Sequence, residues 1–124
     1  MVERLSLDTR RLEEIRQSFP IKPTTSLQLR LGAMGSGAAV IGDADKFKEV
    51  KLDHRKTLAI DMEAYGVMLA SRELPIPTPE AIVVKGVSDF GNAEKNREEA
   101  KRLRPFAAYA SVEVLKILAT EYGL

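Results

Sequence analysis

Three stretches carry residue types capable of acid–base chemistry: Ala81-Ile-Val-Val-Lys-Gly-Val-Ser-Asp-Phe90, Asp61-Met-Glu63 and Gly32-Ala-Met-Gly-Ser-Gly37. The first is an apolar run that stops at a hydroxyl and a carboxylate, Ser88 and Asp89. A carboxyl at the end of a buried strand can keep its proton near neutral pH, because burial disfavours the anion, and a protonated carboxyl can serve as a general acid. A second carboxylate, Glu63, can accept hydrogen bonds from paired hydroxyls and stand beside a developing positive charge. The glycine stretch permits positive φ and close backbone approach, so its N–H groups can face an anion or a base edge. It is neither a P-loop nor a dinucleotide fingerprint, since no Gly-Lys-Ser/Thr follows.

These stretches need elements that bring their ends together. Leu12, Ile15 and Phe19 fall at helical spacing within residues 1–20, with Asp8 as the N-cap and Pro20 as the stop. Residues 21–26 form a connector around Pro23. Leu27–Leu31 alternates apolar and polar and predicts a short strand leading into the glycine loop. Ala38–Ile41 extends it, and a short helix opens at Asp43 with Phe47 and Val50 inward. Thr57–Ile60 predicts a second strand, followed from Glu63 by a helix with Ala64, Val67, Met68 and Ser71 on one face. Residues 73–79 hold three prolines and form a connector, and Ala81–Phe90 predicts a third strand buried on both faces. The charged segment from Gly91 to Arg104 reads as an exposed loop and short helix over the site. Pro105 starts a last helix whose apolar stripe is Ala107, Ala110, Ser111, Val114, Leu115 and Leu118. The order α-β-α-β-α-β-α predicts an α/β fold with parallel strands joined by right-handed crossovers.

Composition narrows the function classes. The chain of 124 residues suits one domain and, with 44% hydrophobic and 30% charged residues, reads as globular. Nineteen basic residues against 18 acidic give a net charge of +1, no electrostatic case for nucleic acid or a membrane surface. There is no cysteine, which excludes disulfides and thiolate chemistry, and the single histidine, His54, reads as a surface or loop-packing residue. No apolar run approaches a membrane span and the N-terminus is charged from Glu3, so a cytoplasmic protein is expected. Nothing calls for a metal or another cofactor.

Two carboxylates and a glycine loop at neighbouring strand ends suit cleavage of the bond between a base and a ribose. Breaking it builds positive charge on the sugar and negative charge on the base. An acid at a ring nitrogen and a carboxylate at the ribose hydroxyls meet those two demands. The strings Ile60-Asp-Met-Glu-Ala-Tyr-Gly66 and Val84-Lys-Gly-Val-Ser-Asp-Phe90, preceded by Gly32–Gly37, resemble the purine nucleoside phosphorylase and nucleosidase superfamily. The nearest likeness is to the methylthioadenosine/S-adenosylhomocysteine nucleosidase-like branch, over roughly residues 27–120. The resemblance implies a three-layer αβα fold with a mostly parallel sheet, of the phosphorylase/hydrolase type. It implies Asp89 as the acid that protonates the purine, Ser88 as its orienting neighbour, Glu63 as the ribose ligand and Met62 as packing against the sugar. Val40 and Ile41 fall where the family contacts the base, with Val40 standing where that branch commonly has a stacking aromatic.

The resemblance covers only the C-terminal half of such a domain, which makes 1–26 an N-terminal helix and connector and 27–124 the C-terminal part. The strands and glycine loop that bind phosphate in phosphorylases, and the acid that activates water in nucleosidases, have no counterpart in residues 1–26. The expected activity is cleavage of a purine nucleoside or nucleotide, by water in preference to phosphate, with the missing half needed to complete the site. The expected partners are that nucleoside or nucleotide, phosphate as a possible co-substrate, and further copies of the chain in a homo-oligomer. The alternatives are a catalytically silent nucleoside-binding or oligomerisation module and a small flavodoxin-like domain unrelated to nucleosides.

Overall fold

The computed structural model describes residues 1–37, 56–88 and 97–123. In chain order their elements are α1 (Val2–Leu7), α2 (Thr9–Ser18), β1 (Ala33–Ser36), β2 (Thr57–Asp61), α3 (Ala64–Glu73) and α4 (Arg97–Glu121). The chain is thus a mixture of helix and strand, and β1 and β2 pair in parallel. It divides into two compact units: the described residues of Met1–Leu31, Gly86–Phe90 and Glu94–Leu124 form one, and those of Gly32–Lys85 the other. The extension expected at Ala38–Ile41, the short helix at Asp43 and His54 lie outside the described residues. Among the described residues no helix is long and apolar enough to cross a membrane.

In the first unit the helical stretch expected over residues 1–20 is two helices, because Asp8 breaks it and caps the second. The Asp8 carboxylate accepts a hydrogen bond from the Arg11 N–H at 2.9 Å. Capping of this kind is worth about 1 kcal/mol, since it satisfies a donor that the helix leaves unpaired. Leu12 and Ile15 are buried with Leu5 from α1. Phe19 packs its ring against Phe106 and Tyr109 of α4 at centroid distances of 5.4 and 5.2 Å. Arg11 of α2 pairs with Glu121 near the end of α4.

Arg16 fastens the connector to α2, donating to the Pro23 carbonyl at 2.7 Å and to Glu13 at 2.6 and 2.7 Å. The guanidinium, with the Gln17 amide, lowers the Glu13 carboxyl from 4.5 to about 2. A depressed carboxyl stabilises the fold above its unfolded pKa and loses that contribution as pH falls through its folded value. The acid side of a melting-temperature profile should therefore flatten in Glu13→Gln between pH 4.5 and about 2. The effect should be small and weaken with salt, because the pair is exposed.

Helix α4 starts eight residues before Pro105, which stands inside it. A proline there removes the hydrogen bond to the carbonyl four residues back. Beyond it Phe106, Ala110, Val114, Ile117 and Leu118 are all buried. This corrects the expected stripe, which lacked Phe106 and Ile117 and included Leu115, an exposed residue. The short helix expected before Arg104 is not separate, since residues 97–104 are the first turns of α4. Charged residues coat an exposed helix face as readily as a loop, so composition alone could not separate the two.

The strand expected at Leu27–Leu31 makes no ladder. Leu27 and Leu29 are half-buried and Gln28 and Arg30 exposed, so the period-two burial survives without pairing. The ladder forms instead on the glycine stretch, where Ala33 pairs with Thr57 and Ser36 with Asp61 across an irregularity after Ala33. A Cβ on Gly32 would lie 2.3 Å from the Leu58 Cδ1, so a glycine lets the chain enter the sheet there. Residues 81–88 likewise form no strand among the described residues, and Ile82, Lys85 and Val87 are exposed. An apolar run becomes a strand only when a neighbouring backbone supplies partners. On α3 only Ala64 is buried, and Val67 and Met68, expected on the same face, are exposed.

Candidate functional site

Parallel pairing brings the C-terminal ends of β1 and β2 to one edge, the edge at which open α/β sheets hold ligands. Ser36 and Asp61 are partners in register there, and the Gly37 N–H extends the pairing by donating to the Asp61 carbonyl at 3.2 Å. Beyond Asp61 the chain passes through Met62 and Glu63 directly into α3.

The first turn of α3 has N–H groups without intrahelical partners. The strand ends supply two acceptors. Both carboxylate oxygens of Asp61 accept from the Ala64 N–H at 3.2 Å, and the Ser36 hydroxyl oxygen accepts from the Tyr65 N–H at 2.9 Å. Asp61 is only 7% exposed, an anion held where the positive end of the helix dipole favours negative charge. The Ser36 bond joins residues 29 apart and ties the end of β1 to the start of the helix.

Glu63 occupies the N-cap position with φ −110° and ψ −28°. Its carbonyl accepts from the N–H groups of Gly66 and Val67 at 3.1 and 3.4 Å. Its side chain makes no capping bond. The carboxylate turns back instead, Oε2 accepting from the Met62 N–H at 3.3 Å, and the residue is exposed. The capping of the Ala64 and Tyr65 N–H groups is done by Asp61 and Ser36. Among the described residues the exposed Glu63 carboxylate thus accepts only from Met62, and the exposed Met62 stands beside it.

Of the residues singled out from the sequence, Glu63 and Met62 are adjacent at this sheet edge. Ser88 is half-buried at the end of 81–88 and belongs to the first unit. Two residues before it, Gly86 lies against α4, where an added Cβ would stand 2.2 Å from the Ala107 carbonyl oxygen. Asp89, Val40 and Ile41 lie outside the described residues. Sequence reasoning gave no role to Asp61 or Ser36. The signal for Asp61 was its type alone, a short carboxylate just before a helix start. No local signal exists for Ser36, whose partner is distant in sequence.

Comparison with known proteins yields relatives of much greater length. The chain is 30% identical over 111 residues to an uncharacterized protein, y4jS, of Sinorhizobium fredii, an alignment covering 89% of this chain and 26% of that protein. It is 30% identical over 105 residues to a Death domain-containing ATP nucleosidase of Amphimedon queenslandica, covering 85% of this chain and 19% of the relative. To the ATP nucleosidase Cap17 of Escherichia coli it is 35% identical over 63 residues, covering 51% of this chain and 12% of that protein. The chain therefore spans about a quarter or less of the length of the curated relatives it matches. No protein-family model matches the sequence. No solved structure matches it either.

Proposed function

We propose that the chain carries the base-and-ribose side of a purine nucleosidase site, cleaving the N-glycosidic bond of an adenine nucleotide. The observation that carries this reading is the Glu63 carboxylate, held at the C-terminal edge of a parallel sheet and relieved of helix capping by Asp61 and Ser36. A carboxylate so placed accepts from both ribose hydroxyls and stabilises the cation that grows on the sugar as the bond breaks. Met62 packs against the sugar, and Val40 and Ile41 lie against the base. Asp89, oriented by Ser88, protonates the purine as it leaves.

Similarity to two proteins named ATP nucleosidases supports a nucleotide substrate and water as the attacking group. In this reading the β1–β2 pair is part of a three-layer αβα fold of the nucleoside phosphorylase type, nearest the methylthioadenosine/S-adenosylhomocysteine nucleosidase branch. Exposed Tyr65, Val67 and Met68 on α3 support assembly of the chain with further copies.

The test is incubation of the chain with ATP, ADP, adenosine, inosine and methylthioadenosine, with and without phosphate, followed by chromatography for free base. With the half that completes the site supplied as a second polypeptide, adenine released from ATP without phosphate is the expected outcome. Release that requires phosphate identifies a phosphorylase instead. Nucleotide binding by calorimetry without any release replaces the enzyme by a silent binding module.

A further inference from the structure

We propose that Asp61 and Ser36 are positioning residues for Glu63, and that they set the preference of the site for ribose over 2′-deoxyribose. This rests on the reading of Glu63 as the ribose ligand. Two acceptors from two different strands satisfy the first N–H groups of α3: Asp61 at Ala64 and Ser36 at Tyr65. The strand ends are themselves joined, through the Ser36–Asp61 register and the Gly37 N–H on the Asp61 carbonyl. Glu63 sits between Asp61 and Ala64 in the chain, so its backbone is held from both sides by this one network.

The side chain of an N-cap residue lies near the N–H groups of the second and third helical positions, here Tyr65 and Gly66, so an open donor there competes for the Glu63 carboxylate. With those donors occupied, the Glu63 carboxylate is left outside the helix end, bonded only to the Met62 N–H among the described residues. Removal of Ser36 frees the Tyr65 N–H, which the Glu63 carboxylate turns inward to cap, and removal of Asp61 releases Ala64 and with it the backbone that holds Glu63. The paired hydroxyls then lose their acceptor, while a 2′-deoxyribose, which makes fewer of those bonds, loses less.

The experiment compares binding of ATP and 2′-deoxy-ATP to the full chain by calorimetry. The unaltered chain is expected to favour ATP by about tenfold, the worth of one hydrogen bond to a charged group. Glu63→Ala should remove that preference. Asp61→Ala and Ser36→Ala should each reduce it to about twofold, mainly by weakening ATP, whereas Asp61→Asn and Ser36→Thr, which keep an acceptor oxygen, should retain most of it. A purely structural role would weaken both nucleotides alike and leave their ratio unchanged. If Glu63→Ala removes the preference but Asp61→Ala and Ser36→Ala keep it whole, the positioning role is wrong and the ribose role of Glu63 stands. If Glu63→Ala leaves the preference intact, or the unaltered chain has none, the ribose reading fails and the positioning role with it. Should Asp61→Ala not fold, Ser36→Ala with its rescue by Ser36→Thr decides alone.

Discussion

Asp89→Asn is expected to slow base release from ATP by about 100- to 10,000-fold, the usual contribution of a positioned general acid. Asparagine keeps the size of the side chain and one acceptor oxygen but has no proton to give. A purine leaving without protonation carries its full negative charge, so the loss should fall on the chemical step and not on binding. ATP affinity by calorimetry should stay close to that of the unaltered chain, and kcat should carry the loss. An unchanged rate in a folded Asp89→Asn chain would exclude this aspartate as the acid and send the search to the other carboxylates.

Gly86→Ala is expected to be the most damaging small substitution for stability. An ideal Cβ at Gly86 would stand 2.2 Å from the Ala107 carbonyl oxygen, 2.7 Å from its carbon and 2.8 Å from the Ser111 Oγ. The nearest two of these atoms are helix backbone, which cannot swing aside like the tip of a side chain. The Ser111 hydroxyl donates to the same Ala107 carbonyl at 2.8 Å, so the third contact is committed as well. Overpacking of this kind costs about 1–3 kcal/mol, and contact with backbone puts Gly86 at the upper end. Each kcal/mol lowers the melting temperature of a domain this size by about 4 °C.

The consequence for the site follows from chain order, because Gly86 precedes Ser88 by two residues. Lifting residue 86 off α4 should displace Ser88 and slow base release by more than the unfolded fraction explains. Gly66→Ala is the control. Gly66 lies within α3 with nothing within 4 Å of an added Cβ, so alanine should raise stability by about 0.5–1 kcal/mol. Equal melting temperatures for Gly86→Ala and the unaltered chain would show that residue 86 is not seated on the helix.

Much of the local structure was legible because its causes are local. Asp8 announces the start of α2, and Leu12 and Ile15 mark its buried side by spacing alone. Thr57–Ile60 reads as a strand and is one, and the helix after Glu63 begins where expected. Parallel pairing followed from strands separated by a long connection, which cannot make a hairpin. The boundary errors also have local causes. Leu27–Leu31 has the better strand pattern, yet the ladder runs through Ala33–Ser36, because pairing depends on which backbone reaches β2. Glycine loops and glycine-containing strands share a composition, and only the partner separates them. The start of α4 was misplaced because proline suits a first helical position, whereas here it stands inside a helix that begins at Arg97.

By itself the sequence determined which chemical groups this protein has to work with. It determined that Glu63 stands between a strand and a helix, that Ser88 and Asp89 close an apolar run, and that no thiol is present. Those are properties of residue type and order, which the chain carries whatever its conformation. The tertiary structure alone decided what Glu63 is free to do. The first N–H groups of its helix are satisfied by Asp61 and by Ser36, on a strand 29 residues from its partner Tyr65. Sequence can nominate a carboxylate, but its availability depends on which neighbours have already satisfied the donors around it.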